Sequence, residues 1–345
     1  MTPTFAVAEA LERCRQAITP ALKDAVDRLT PDLRLIASYH FGWTDPAGEP
    51  TKAPGGKGIR SALAILSAEA CWADPAVGVP GGVAVELVHN FSLIHDDIID
   101  TDSERHHRPT VWSEYGVGAA IVAGDALAVL AHQVLLECSP DRGPAASSAL
   151  AEATAKMIAG QADDIAFEKR RDVSVEQCTA MSAAKTGALL GCASSIGAIL
   201  SGAPDAAVRA LNDFGLHLGL AFQAVDDLLG IWGDPSTTGK PAGNDLRQRK
   251  KSLPVVAALA AAGPEADELR TLLLGEPGTV LAPLDPSQVE RARFLVEACG
   301  GKEWTAVRAK ANLDTALGAL ERVRLSPVPH RDLADIAVYI VEREF

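Results

Sequence analysis

Three carboxylates stand close together in an apolar stretch of this 345-residue chain: Asp96, Asp97 and Asp100, within the run HNFSLIHDDIIDTDSERHHRPT that spans 89–110. A helix advances about 100° per residue, so Asp97 falls about 100° and Asp100 about 40° from Asp96, which puts all three on one face. The preceding residues, Leu87 to Ile94, are mostly apolar. Carboxylates crowded on one side of such a helix repel one another unless cations sit among them. Hard oxygen ligands of this kind suit magnesium, which is usually held by a few carboxylates together with substrate phosphates. The expectation is a magnesium-diphosphate site, and the rest of the chain must supply its other half.

A second acidic pair, Asp226 and Asp227, lies in another apolar stretch, with Gln223 one turn earlier. Alone, this pair reads equally well as a helix end facing water. Two such clusters, each late in a long apolar helix, are a stronger signal, because packing can set them across one cavity. Basic residues gather where Gly and Pro open the backbone: Lys57 and Arg60 after Gly55-Gly56, Arg105 and Arg108 beside His106 and His107, Lys240 after Gly239, and Lys250 and Lys251. Any one of them is most simply a solvated charge. Diphosphates nevertheless need cations held in fixed geometry. Lys185, between Ala184 and Thr186 in an apolar helix, wants an anion partner unless it snorkels to the surface.

Helical spacing runs through most of the chain. Helices are expected over 5–29, 59–70, a segment ending near Arg105, 112–137 with a break at Gly124 and Asp125, 143–169, 173–200 and 204–230. Shorter ones follow over 253–262, 265–274, 286–298, 302–323 and 332–344. No strand alternation persists and no repeat stands out. The reading is all-α, a single domain over 1–345 with its motif-bearing core at about 55–254.

Hydrophobic residues make up 48%, so a large core is available, and aromatics are only 5%, which favours helix over sheet. The net charge of −13 argues against a nucleic-acid partner. The six cysteines form no metal or disulfide pattern and read as thiols of a reducing cytoplasm. The N-terminus does not read as a signal peptide. The apolar runs look shorter than the roughly 18 residues a membrane span requires, so no transmembrane segment is expected. No Ser-His-Asp or Cys-His arrangement is evident, and His95 and His132 read as structural.

The motifs, taken in order, resemble those of the trans-isoprenyl diphosphate synthases (polyprenyl synthetase family), particularly actinobacterial geranylgeranyl diphosphate synthases. GGKGIR is similar to GGKxxR, HDDIIDTD to DDxxD, ERHHRPT to RRGxPT, GQADD to GQxxD and AFQAVDD to FQxxDD. AAKTG supplies a Lys-Thr pair, and GKPAGNDLRQRKKSLP resembles the basic loop after the second motif. The resemblance implies an isoprenoid synthase-type helical bundle around a deep central cavity, and a homodimer. It implies a prenyltransferase that condenses isopentenyl diphosphate with an allylic diphosphate by ionisation, condensation and elimination. Asp96 and Asp100 would ligate two magnesium ions, supported by Asp97, and Asp226, beside Asp227, a third. Arg105, Lys185 and Lys250 would hold the allylic diphosphate, with Lys240 nearby. Lys57, Arg60 and His89 would hold isopentenyl diphosphate, and Thr186 and Gln223 would face the reacting carbons.

Three positions depart from the family pattern. Gly230 stands where many relatives carry a third aspartate. His106 stands in the place of a second arginine that helps hold isopentenyl diphosphate, and Gly58 replaces a commonly basic residue. In this family, side chains below the first motif limit the product. Phe91 and Ser92, five and four residues before Asp96, pair a large residue with a small one. This suggests a medium product, and the resemblance of HNFSLIHDD to actinobacterial geranylgeranyl diphosphate synthases favours the twenty-carbon geranylgeranyl diphosphate over the fifteen-carbon farnesyl diphosphate. A class I terpene cyclase is the competing reading. It would need Ser/Thr and Glu where Gln248 and Ser252 stand, and it has no use for GGKGIR. A non-catalytic subunit of a heteromeric synthase is a third, disfavoured by the intact aspartates and lysines.

Overall fold

The computed structural model describes residues 5–51, 58–233, 243–276 and 282–342. These are almost wholly helical. In chain order come α1 (Phe5–Val26), α2 (Pro31–His40), α3 (Ile59–Ala70) and α4 (Pro75–Ile99). A two-stranded hairpin follows, β1 (Glu104–Arg105) paired antiparallel with β2 (Arg108–Pro109). Next are α5 (Val111–Tyr115), α6 (Val117–Cys138), α7 (Gly143–Lys169), α8 (Val175–Ser182), a π turn (Ala183–Gly187), α9 (Ala188–Ser201) and α10 (Asp205–Trp232). Helices Asn244–Arg247, Leu253–Leu259, Pro264–Leu274, Pro286–Ala298, Gly301–Leu320 and Pro327–Val341 complete the order.

Local chemistry sets several boundaries. Asp74 caps α4 by accepting from Ala76 N, with Pro75 in the first turn. Ser174 and Gln177 form a reciprocal capping box at α8. The helix bearing the first carboxylates stops at Ile99, because Thr101 turns left-handed at φ 55°. Arg105, expected near a helix end, therefore sits on the hairpin. His106 and His107 form the two-residue loop, with φ of 51° and 61°. Positive φ at both central residues is the turn that matches strand twist, although Asn and Gly usually provide it. The break expected at Gly124 and Asp125 is absent: α6 runs through both, and the interruption falls at Gly116, φ 88°. The helix α2 was not anticipated.

The main core joins α1–α10 and the last two helices. A smaller buried cluster contains Ile231, Leu246, Val255, Leu269, Leu284 and Leu295. Helix Leu253–Leu259 contributes to both, Val256 to the first and Val255 to the second. Inside the main core α10 packs against Gly301–Leu320 and α9, and α4 against α6 and α3. The bounds expected over 143–169, 173–200 and 204–230 agree with the helices to within two residues, but how apolar the central helices are was understated. Pro75–Ile99, Val117–Cys138, Val175–Ser201 and Asp205–Trp232 are each long and apolar enough, by length and composition, to cross a membrane. The expectation of runs too short for that is corrected. Three of the four hide more than half of their most apolar window inside the bundle, and α6 hides 39%.

Candidate active site

The helix α4 presents polar residues on two adjoining faces. Asp96 and Asp100 lie on one, within electrostatic reach of Lys185, and Asp100 also of Lys250. Burial pushes the Asp96 carboxyl up to about 6, against the pull of Lys185 and with the repulsion of Asp100 added. Asp100 is raised for the same reason, opposed by Lys185 and Lys250. Asp97 does not join them. It is 1% exposed and lines a separate cavity with Glu86, His89, Asn90, Arg105 and His106. One residue step is more than a quarter turn, and Arg105 holds the carboxylate on that side. Its Nε and Nη2 both donate to Asp97 Oδ1, at 2.9 and 2.7 Å. Asp97 Oδ2 is buried without a hydrogen-bond partner among the described residues. The three-carboxylate face expected from helical angles is thus a pair plus a braced neighbour.

Across from α4, the second cluster is divided too. Asp226 is exposed on α10, while Asp227 is 5% exposed. Asp227 Oδ1 accepts from Gln223 Nε2 at 2.8 Å and Oδ2 from Leu253 N at 2.8 Å. Gln223 Oε1 in turn accepts from Thr186 Oγ1 at 2.7 Å. Burial pushes the Asp227 carboxyl up to about 7, opposed by Lys250 and the Leu253 amide. Expected among the metal-binding residues, Asp227 has both oxygens engaged inside the protein. It ties α10 to the π turn through Gln223 and to the start of Leu253–Leu259.

Lys185 and Thr186 sit on that π turn, whose extra residue re-aims side chains and recurs at functional sites. Close packing makes it possible. A Cβ on Gly160 would lie 2.4 Å from Lys185 N, so only glycine lets α7 approach there. One turn further along α7, Asp164 Oδ2 meets Lys185 Nζ at 2.5 Å. Asp164 lies in the GQADD motif but was not assigned a role from sequence. Lys250 is half-buried, and desolvation alone would lower its pKa. The surrounding carboxylates, Asp245 first, then Asp164, Asp227 and Asp100, outweigh that and hold the ammonium charged. Its neighbours in the basic run do other work. Arg249 donates to Ala282 O and Leu272 O, and Lys251 to Glu168 O.

The second cavity is basic at one end. Arg60 Nη1 donates to His89 Nε2 at 3.2 Å. Burial, then Arg60, pushes His89 well below its ordinary range, so this nitrogen stays free to accept. Arg60 Nε is buried with no hydrogen-bond partner among the described residues. Beneath lies a polar network that sequence reasoning missed. His40 bonds Asn90 Oδ1 at 3.0 Å, and Asn90 Nδ2 donates to Glu86 O at 2.8 Å. Its one signal was the spacing of Glu86, His89 and Asn90 along one helical side. Lys57 and Lys240, both expected at the site, lie outside the described residues.

Phe91 meets His95 edge to face, centroids 5.0 Å apart. His95 fits because Gly124 has no side chain: a Cβ there would lie 2.3 Å from its Nε2. Ser92 turns its hydroxyl onto His89 O, at 2.8 Å. Among the described residues no three His, Cys, Asp or Glu side chains gather closely enough to hold a metal ion unaided. Asp96 and Asp100, crowded and raised in pKa, still fit magnesium, which completes its shell with water and phosphate oxygens.

A family model described as polyprenyl synthetase matches residues 43–280. The chain is 46% identical over 329 residues to a Mycobacterium tuberculosis (2E,6E)-farnesyl diphosphate synthase, covering 95% of this chain and 91% of that protein. It is 42% identical over 338 residues to a Mycobacterium tuberculosis geranylgeranyl diphosphate synthase, covering 97% and 93%. The crystal structure of a polyprenyl synthetase from Streptomyces coelicolor A3(2) superposes with a TM-score of 0.92 at 50% identity, covering 97% of this chain and 99% of that one.

Proposed function

The chain belongs to the polyprenyl synthetase family, and from that premise we propose that this short-chain trans-prenyltransferase joins isopentenyl diphosphate to an allylic diphosphate, with geranylgeranyl diphosphate as its main product. One observation carries the reading: α4 turns Asp96 and Asp100 to one side, and His89 and Asp97 to a cavity on another. Asp96 and Asp100 face Lys185 and Lys250 on one side. His89, held by Arg60, lines the cavity on the other together with Arg105.

Asp96, Asp100 and Asp226 would hold magnesium, about three ions, which would supply positive charge to neutralise the departing diphosphate. Lys185 and Lys250, with Lys240, bind the allylic diphosphate and favour ionisation of its C–O bond. Arg105 braces Asp97 beside the second cavity and, within electrostatic reach of Asp96, adds its charge to the hold on the same anion. Lys57, Arg60, His89 and His106 orient isopentenyl diphosphate so that its double bond attacks the allylic cation. Thr186 donates to Gln223, leaving its oxygen lone pairs for the cationic carbons. The attack leaves a cation on the isopentenyl unit; the carbon beside it loses a proton to the released diphosphate, and a double bond is restored.

Farnesyl diphosphate is the second reading, favoured by the 46% identity to a farnesyl diphosphate synthase. The bulk of Phe91 beside the small Ser92 favours the longer product. The protein functions in the cytoplasm as a single domain and a homodimer. An exposed apolar stripe on α6, including Ile121, Val122, Val129 and Leu136, supports the dimer.

Purified protein with magnesium and labelled isopentenyl diphosphate is offered dimethylallyl, geranyl or farnesyl diphosphate, and the products are sized. Twenty-carbon product supports the reading and fifteen-carbon product the second one. No elongation from any starter overturns both, and a hydrocarbon from one substrate alone identifies a cyclase.

A further inference from the structure

Beside the second cavity an arginine stands where a helix disfavours one. Arg60 lies in the first turn of α3, after the N-cap Gly58, and that turn holds no acidic residue. A cation there opposes the helix dipole, and burial adds to the cost. Glu86, on the neighbouring α4, is the carboxylate that offsets it. Burial raises the Glu86 carboxyl and lowers the pKa of the Arg60 guanidinium, and in each the partner's charge is the first opposing force.

The same carboxylate steadies the side of α4 that faces the cavity, which Glu86, His89 and Asn90 all line. Asn90 Nδ2 donates to Glu86 Oε1 at 3.3 Å, and Asn90 Oδ1 accepts from His40 Nε2 at 3.0 Å. Arg60, opposite Glu86 in charge, donates through Nη1 to His89 Nε2 at 3.2 Å. A guanidinium carries donors and no acceptor, so Nε2 must be bare. An imidazolium would set two donors against each other. The single proton of a neutral ring therefore sits on Nδ1, and the arginine sets the tautomer of the histidine. His89 then offers the cavity an uncharged N–H donor, beside Arg105 and Arg108 on its wall.

We propose that Glu86 is a positioning residue: through Arg60 it fixes His89 as a neutral Nδ1–H donor to a phosphate oxygen of the diphosphate ester held in this cavity. The part it plays in turnover rests on the prenyltransferase reading; the tautomer does not.

The test reads the tautomer directly. Full-length protein labelled with nitrogen-15 histidine is observed at pH 7 by two-bond proton–nitrogen correlation, and His89→Gln identifies the His89 signals by their loss. Wild type should show Nδ1 protonated and Nε2 bare. Glu86→Gln, close in size and without charge, frees Arg60 and should move His89 towards a mixture of tautomers. In elongation assays Glu86→Gln should raise KM for isopentenyl diphosphate about tenfold, the loss of one charge-assisted contact, and change KM for the allylic substrate by less than about threefold. His89→Gln, whose amide can accept from Arg60 and donate to phosphate, should show a KM for isopentenyl diphosphate about tenfold below that of His89→Leu. Nε2 protonation or an imidazolium in wild type overturns the proposal. So do equal rises of the two KM values in Glu86→Gln, or equal losses in the two His89 variants. Should Glu86→Gln fail to fold, the wild-type tautomer and the His89 pair still decide. If wild type fails to elongate while His89 carries its proton on Nδ1 and loses that preference in Glu86→Gln, the prenyltransferase reading falls and this one stands.

Discussion

Lys185 Nζ lies 2.5 Å from Asp164 Oδ2, so the one basic residue of the π turn is held by a carboxylate one helical turn past the glycine that admits it. The amine is thereby fixed between α7 and the acidic face of α4. Lys185→Met removes a preorganised donor, and kcat/KM for the allylic substrate should fall by about 10²-fold. Steady-state kinetics check this. A loss under about threefold would reduce the pair to a staple between elements.

The chain of bonds Thr186–Gln223–Asp227–Leu253 N makes Asp227 a structural anchor. Asp227→Ala leaves buried donors unpaired and should lower stability by roughly 1–3 kcal/mol. Urea unfolding at pH 7 measures it. Unchanged stability would return Asp227 to a purely ligating role.

Phe91 is backed by His95, and His95 by the bare Gly124. Phe91→Ala opens that corner and should shift the products towards chains longer than twenty carbons, sized by reversed-phase chromatography. An unchanged distribution would show that Phe91 does not limit the product.

Burial, followed by Arg105, depresses His40 to about 4, with the Asn90 hydrogen bond opposing. Between pH 6.5 and 4 the unfolded chain takes up a proton that native His40 refuses, so this contribution to stability is lost as pH falls through that window. Asp96 and Asp227 act in the opposite sense. They are raised to about 6 and about 7, and the native state keeps protons that the unfolded chain releases from about 3.8 upwards, so their contribution is lost as pH rises. His40→Gln should therefore lose less stability than wild type between pH 7 and 5, measured by denaturant unfolding in EDTA. Equal losses in the two proteins would refute the assignment.

The acidic and basic motifs were legible because charge is costly in apolar helices, and its presence at Asp96, Asp226 and Lys185 needed a reason. The all-α fold was legible from the same helices. Orientation was less so. Helical angles placed Asp97 beside Asp96, but a hairpin that no alternation announced brought Arg105 onto it. The π turn is a local change of pitch that the AAKTG composition does not declare. His40 and Asn90 pair across long sequence separation, and the bond between Asp164 and Lys185 depends on two segments meeting in space. Such relations belong to tertiary packing and leave no periodic trace.

Turnover by Asp96→Ala tests the central claim most directly. Dimethylallyl and labelled isopentenyl diphosphate are supplied with saturating magnesium, and wild-type folding of the variant is verified by its unfolding transition. With α4 as the wall that holds metal-bound diphosphate, elongation should fall by 10³-fold or more, on the order of the loss from deleting a principal electrostatic group. Elongation within a few-fold of wild type would contradict the account.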